Sequence, residues 1–181
     1  MESDKINYTD LLEPSEDFFH CGEKAKLREK QRLEDDIFMS NALKMSSLSK
    51  CVSKQVCAML VKNGRIVSTG INGTLPKATN CCDVFDKHDF CRTTHHEWSN
   101  KNETHAEMMA MLRCMEDLAG CTLYCTLEPC DVCTKYALAM GIRRIIYYNK
   151  YDLKNTDIES LMLEESGAEF LDYIALYGEL K

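Results

Sequence analysis

The sequence predicts an α/β fold, a three-layer α/β/α sandwich around a mixed central sheet of about five strands. Two observations carry this expectation. First, two short apolar runs flank the dipeptide Asn63-Gly64, a strong hairpin signal. Second, the chain downstream alternates apolar strand-like runs with segments of helical spacing, the pattern of parallel strands joined by helices. A length of 181 residues suits one domain with a proper core and is short for two.

The elements follow in order. Residues 1–36 read as an acidic N-terminal extension, helical or partly disordered. Its charges alternate in sign from Glu23 to Asp36, which suits a solvated helix. Residues 37–181 read as the main domain. It opens on a helical apolar pattern of Ile37, Phe38, Ala42 and Met45, with Leu48 near the end. Val56 to Val61 and Ile66 to Ile71 are the hairpin strands. Asn72 to Thr104 shows little periodicity yet carries Cys81, Cys82, His88, Cys91, His95 and His96. A loop that long inside a compact domain is functional or is held by something. His105 to Asp117 reads as a helix with Met108, Met109, Leu112 and Met115 inward. Cys121 to Thr126 is a strand, Asp131 to Met140 a helix and Arg143 to Tyr148 a strand. Asp157 to Glu165 is a helix and Ala168 to Leu171 a short strand.

The net charge of −7 excludes the basic footprint of a protein that grips a long nucleic acid. The acidity is concentrated in residues 1–36, which hold 11 acids and 6 bases. No apolar run approaches a membrane span, and the acidic start Met1-Glu2-Ser3-Asp4 lacks a secretory h-region. The odd total of 11 Cys in a chain of this size points to metal ligands and reduced buried thiols rather than disulfides, hence to the cytoplasm.

Two short motifs carry chemistry. His105-Ala106-Glu107 lies upstream, and Pro129-Cys130-Asp131-Val132-Cys133 lies downstream. His105, Cys130 and Cys133 can hold a zinc ion through three protein ligands, leaving the fourth tetrahedral position open, as catalytic zinc sites do. Cys130 and Cys133 are three apart, so one helical turn stacks them, and a helix N-terminus favours their thiolates. Glu107 is then placed to carry protons as the catalytic residue. Alone, Cys130 and Cys133 would equally fit a zinc knuckle or a redox pair; the combination with His105 and Glu107 supplies the specificity.

H-x-E followed by P-C-x-x-C is the known signature of zinc nucleobase deaminases. The chain resembles the cytidine/deoxycytidylate deaminase superfamily, and more narrowly the phage-type dCMP deaminases. The matching residues are Ser49-Lys50-Cys51, Lys62-Asn63-Gly64-Arg65-Ile66, Ser68-Thr69-Gly70, Asn72-Gly73 and Asn80-Cys81-Cys82-Asp83. They continue with His96-Glu97-Trp98-Ser99, Lys101-Asn102-Glu103, Thr126-Leu127 and Gly141-Ile142. Coverage runs from about Ile37 to Leu171.

The resemblance implies a cytidine deaminase-like fold and hydrolytic deamination of dCMP to dUMP, supplying dUMP for thymidylate synthesis. It implies activation by dCTP, inhibition by dTTP, Mg2+ accompanying the effector nucleotide, and a homohexamer in the cytoplasm (the host's, if viral). It also implies a second, structural zinc held by Cys51, Cys81, His95 and Glu103, with Cys82 and His96 as the neighbouring alternatives. A long Cys- and His-rich loop needs such an anchor on physical grounds as well. Asn72 corresponds to a family asparagine that contacts the substrate sugar, and Gly70, Asn72 and Gly73 to a loop that binds the effector. Two departures bear on that effector response: Ile71 stands where the family usually has Tyr, and Cys57 where it usually has Gly. Arg113 and Lys135, on the two motif helices, are candidates to meet the 5′-phosphate, and Trp98 is expected to pack the Cys/His loop, with covering the base as its alternative. The alternatives are a deaminase of the same fold acting on another cytosine nucleoside, nucleotide or RNA, and a zinc-stabilised binding module without activity.

Overall fold

A computed structural model describes residues 16–151 and 159–180. The chain divides into two compact units, residues 1–35 and 36–181. Helix α1 (Glu16–Ser46) is a single helix of 31 residues, so the helical half of the expected extension continues without a break into the expected first helix. Residues 1–15 lie outside the described residues.

Within the larger unit, α1 buries Phe38, Met39 and Ala42. The expected inward stripe holds at Phe38, Ala42 and the partly buried Met45 and fails at its two ends. Ile37 is 48% exposed, and Leu48 lies beyond the helix, exposed in the turn that follows. Strands β1 (Cys57–Lys62) and β2 (Arg65–Ile71) form the expected antiparallel hairpin. Asn63 and Gly64 take φ of 51° and 71°, the paired positive angles of a type I′ turn. Val67 is an extra residue on β2, because Leu60 pairs with Ser68 while Val61 pairs with Ile66.

Residues 72–104, expected to be a loop, are more structured. They form β3 (Gly73–Thr74), α2 (Cys81–Val84), α3 (Arg92–Asn102) and β4 (Glu103–Thr104), with β3 and β4 paired antiparallel. Helix α3 reads RTTHHEWSNKN, so it has no apolar stripe to announce it. What holds it is the packing of His95 and Trp98 against Phe85 and Phe90.

Then come α4 (Ala106–Arg113), β5 (Thr122–Leu127), α5 (Asp131–Ala139), β6 (Arg144–Asn149), α6 (Glu159–Ser166), β7 (Glu169–Asp172) and α7 (Tyr173–Tyr177). The sequence placed all of these but α7; residues 157 and 158 of the expected sixth helix lie outside the described residues. The expected inward face of α4 holds at Met108 and Met109 but not at Leu112, which is 71% exposed. The helix ends at Arg113, short of the expected Asp117, so Met115, 96% exposed, lies beyond it, while Ala106, Glu107, Ala110 and Met111 join the buried face. The inward face is built on two alanines because α4 approaches β2 closely at Gly70. A Cβ there would lie 2.0 Å from the Ala106 carbonyl oxygen.

The sheet has the order β2-β1-β5-β6-β7. β1 runs antiparallel to both its neighbours, β2 and β5, whereas β5, β6 and β7 run parallel. Alternate strand residues feed two cores. Ala58, Leu60, Leu123, Cys125 and Ile145 pack with Ala106 and Ala110 of α4 and Ala137 of α5. Cys57, Met59, Val61, Tyr124 and Ile146 pack with Phe38 and Met39 of α1 and Tyr173 of α7. Burial on both faces explains why β1 reads as a continuous apolar run rather than an alternating one. Tyr173 adds a hydrogen bond from its hydroxyl to the Asp36 carboxylate. No helix among the described residues is long and apolar enough to cross a membrane.

Candidate metal centres and active site

Two helices begin at one point. His105 is the N-cap of α4 and Cys130 the N-cap of α5, both with extended backbone angles. An N-cap side chain projects off the helix start rather than along its flank, so these two can converge. Cys133, one turn into α5, completes the group, and the three ligand atoms lie within 4.8 Å of one another. His105 Nδ1 is 3.5 Å from the Sγ of Cys130 and 3.5 Å from that of Cys133. Tetrahedral zinc with ordinary bond lengths holds an imidazole nitrogen and a thiolate sulfur about 3.5 Å apart, so the donor set fits that ion. The site is open on one side: His105 is exposed, Cys130 half-buried and Cys133 buried.

The charges are arranged for metal binding. Cys130 is held well below the usual thiol range, first because the Cys133 thiol hydrogen-bonds to it, and His105 adds to the effect. Cys133 is pushed the other way by the same contact and by burial. The pair behaves as one thiolate sharing one proton. Hydrogen bonding with Cys130 in turn raises His105. Glu107, two residues past the imidazole, is 4% exposed, and burial pushes its carboxyl up to about 7. A carboxyl of that kind can both give and take a proton near neutral pH.

A second, buried group forms between α2, α3 and the segment before β1. His95 Nε2 lies 3.6 Å from Cys51 Sγ and 3.3 Å from Cys81 Sγ. These separations also suit tetrahedral zinc. Glu103 is near enough to both thiols for each to influence its carboxyl, but it is not part of the three-residue group, and its buried Oε1 has no partner. An orphaned buried carboxylate oxygen next to three soft donors fits a missing fourth ligand contact. The neighbouring alternatives are turned away. Cys82 is exposed, and the exposed His96 ring meets the Asn100 amide at 3.1 Å. Trp98 packs edge-on against Phe85, whose ring in turn meets His95. None of the ten cysteines whose side chains are described forms a disulfide.

Asn72 is tied into the backbone entering β1. Its Oδ1 accepts from the Val56 N–H at 2.8 Å and its Nδ2 donates to the Lys54 carbonyl at 2.9 Å. One N–H and one lone pair of the amide remain for another contact. Asn72 directly precedes β3 and His105 directly follows β4, the two strands of one antiparallel ladder. Gly70 is committed to packing under α4, and Gly73 lies in β3. Arg113 is exposed in the last turn of α4, at the opposite end from His105. Lys135 is exposed on α5 with its Nζ 5.4 Å from the Tyr136 ring centre.

Sequence reasoning did not find one cavity at the end of the sheet. A space of about 440 Å³ opens where β1 begins and β5 and β6 end, with Lys54, Val56, Leu127 and Lys150 among the residues lining it.

Comparison with known proteins fits this geometry. Residues 32–149 match the model of the cytidine and deoxycytidylate deaminase zinc-binding region. The deoxycytidylate deaminase of Enterobacteria phage T4 is 35% identical, with 69% of this chain and 82% of the phage protein covered. The crystal structure of the dCMP deaminase from the cyanophage S-TIM5 superposes with a TM-score of 0.60 at 30% identity, covering 76% of this chain and 95% of that one. The same cyanophage enzyme in complex with dCMP and dUMP gives 0.58. Three converging ligands, a buried carboxyl beside them and a shared mixed sheet place this chain in the cytidine and deoxycytidylate deaminase family.

Proposed function

We propose that the protein is a zinc-dependent dCMP deaminase that converts dCMP and water to dUMP and ammonia. The observation that carries the reading is the convergence of His105, Cys130 and Cys133 on one point with the buried Glu107 carboxyl two residues from the imidazole. The relatives named for dCMP support the choice of substrate.

His105, Cys130 and Cys133 hold the ion. When bound, zinc supplies a Lewis acid that makes water a competent nucleophile near neutral pH. Glu107 does the proton work. Its carboxyl protonates N3 of the cytosine ring, so that the electron pair displaced from C4 as the water oxygen adds has somewhere to go. It then takes one proton from the water and delivers it to the exocyclic nitrogen, the C4–N4 bond breaks and ammonia leaves. The remaining proton on the C4 oxygen passes to the carboxylate as the C4 carbonyl forms, so the carboxyl ends protonated, as it began. Burial of Glu107 keeps bulk water from diverting the proton, and the exposure of His105 leaves the substrate a way in.

The finer expectations belong to the same proposal. Cys51, Cys81, His95 and Glu103 hold a second, structural zinc, supported by the fit of the separations among Cys51, Cys81 and His95 and by the orphaned Glu103 oxygen nearby. Asn72 contacts the substrate sugar through the part of its amide not spent on Val56 and Lys54. Regulation by dCTP and dTTP, with Mg2+ on the effector, a hexamer, a place in thymidylate supply and a cytoplasmic location rest on the family resemblance.

The test is turnover of cytidine, deoxycytidine, dCMP, dCTP and short oligonucleotides by the wild type and by Glu107→Gln. The expected result is a preference for dCMP and a loss of about 100- to 10,000-fold in kcat for the variant with zinc retained. Deamination of oligonucleotides but not of dCMP would overturn the substrate. Equal activity in the variant would overturn the proton-carrying role.

A further inference from the structure

We infer that Ser49 is a positioning residue for the reaction: its buried hydroxyl ties the Asn72 peptide to the Cys51 backbone and so fixes where the Asn72 amide points. This rests on the deaminase reading above, in which Asn72 meets the substrate sugar, and names the residue through which that contact is aimed.

The geometry is a relay of two hydrogen bonds. The Cys51 N–H donates to Ser49 Oγ at 3.2 Å, and the Ser49 hydroxyl donates to the Asn72 backbone carbonyl at 3.0 Å. An amide N–H donates and a carbonyl accepts, so the group between them must do both, which a hydroxyl does and a methyl group does not. Ser49 is 5% exposed, so water has little access in place of these partners. Its own backbone is held on each side. The Ser49 N–H donates to the Ser46 carbonyl at the end of α1 at 2.9 Å, and its carbonyl accepts from Gln55 Nε2 at 2.7 Å. Cys51 is fixed as well. It belongs to the buried group with Cys81 and His95, and the Cys82 N–H donates to the carbonyl of the preceding Lys50 at 3.2 Å.

Asn72 is where the relay ends. Its N–H donates to the Val56 carbonyl at 3.1 Å, and its side-chain amide is committed to the Val56 N–H and the Lys54 carbonyl. Those bonds fix the residue against the entry to β1. Among the described residues, the Ser49 hydroxyl is what holds its carbonyl. That carbonyl leads into β3, whose partner β4 runs directly into His105. The residue after Asn72 is Gly73, which by itself constrains the peptide between them less than any other residue would. Without the hydroxyl, Asn72 stays fastened to β1 but is loose toward the ladder that ends at the imidazole. The N–H that its amide has left for a substrate then loses its aim, and a contact made by a poorly held group is weaker.

The experiment is a double-mutant cycle on the zinc-loaded enzyme, with Ser49→Ala, Asn72→Ala and the double variant. It reads kcat and KM for dCMP, zinc content and the melting temperature. One hydrogen bond is worth about 3- to 10-fold, so Ser49→Ala should raise KM by about that factor. The value of kcat should stay within about threefold, because a contact made both before and during the reaction acts on KM. In the Asn72→Ala background the same change should cost less than about twofold, since the residue it acts through is gone. Asn72→Asp, which keeps an acceptor for the Val56 N–H, is the second background. Ser49→Thr, which keeps the hydroxyl, should stay within about threefold of the wild type in KM. Tyr173→Phe, which removes the hydroxyl bonded to Asp36, should lower the melting temperature and leave KM alone, showing what lost stability does by itself. A full cost in both Asn72 backgrounds, a fall in kcat with KM unchanged, no loss at all, or a folded Ser49→Thr as impaired as Ser49→Ala would overturn the inference. An Asn72→Ala variant with the wild-type KM would instead overturn the sugar contact, and a wild type without dCMP turnover the deaminase reading itself.

Discussion

Replacing Gly70 with alanine tests how the reaction site is held in register. The added methyl would sit 2.0 Å from the Ala106 carbonyl oxygen, 2.3 Å from the Ala110 nitrogen and 2.9 Å from the Met109 carbonyl carbon. All three are backbone atoms of one helix, so no side chain can turn aside. Relief requires α4 to retreat from β2 by more than an ångström. Overpacking a well-filled core costs about 1–3 kcal/mol and more when the clash is rigid, so a loss of about 3 kcal/mol is expected. At about 2–4 °C per kcal/mol for a chain of this size, the melting temperature should fall by about 6–12 °C. The functional consequence is larger than the thermal one, because Ala106 lies between His105 and Glu107. A displacement of about 1 Å there is enough to lower turnover about 100-fold. Ser68→Ala is the comparison. Its hydroxyl donates to the Ala110 carbonyl at 2.7 Å on the same contact, and losing that bond costs about 1 kcal/mol, with no push on the helix. Thermal melting by circular dichroism and dCMP turnover, at matched zinc, read both. If Gly70→Ala melts within about 1 °C of the wild type and keeps its turnover, the account of α4 packed rigidly on β2 is wrong.

Metal analysis should find about two zinc ions per chain; His95→Ala should leave one and lower the melting temperature, and a wild-type value near one would remove the structural site. A chelator strong enough to strip both ions should shift the melting curve downward, since ligands that converge only in the folded chain couple binding to folding; an unchanged curve would show that the clusters hold no metal. Thr126→Val should destabilise by about 1–3 kcal/mol despite its similar shape, because the buried Cys57 N–H donates to Thr126 Oγ1 at 3.0 Å and would be left without a partner. Urea unfolding measures that loss, and a value near zero would mean that another acceptor takes the bond.

What could be read from the sequence depended on whether apolar pattern or special residues defined the element. The β1–β2 hairpin was legible because Asn63 and Gly64 adopt the positive φ that few other residues tolerate. Strands β5 and β6 were legible because their buried runs are bounded by turns. Helix α3 was not, since its polar residues are held by His95 and by ring packing with Phe85 and Phe90. The inward face of α4 was read correctly at Met108 and Met109 and wrongly beyond them for a related reason. Hydrophobic spacing weighs Leu112 and Met115 heavily and Ala106 and Ala110 lightly, yet close approach to Gly70 selects small residues. The donors His105, Cys130 and Cys133 were visible because each motif compresses its donors into a few residues at a helix start. The Lys54–Lys150 cavity was invisible because its walls come from three strand ends far apart in the chain.

Strand β4 is two residues long, Glu103 and Thr104, and His105 follows at once. The buried Glu103 carboxyl lies near the Cys51 and Cys81 thiols. One short ribbon therefore runs from beside the buried Cys51–Cys81–His95 group at its upstream end to the imidazole at its downstream end. Slack at the upstream end has nowhere to dissipate before it reaches the ring, so injury to a cluster that never meets the pyrimidine should still be felt as slower chemistry.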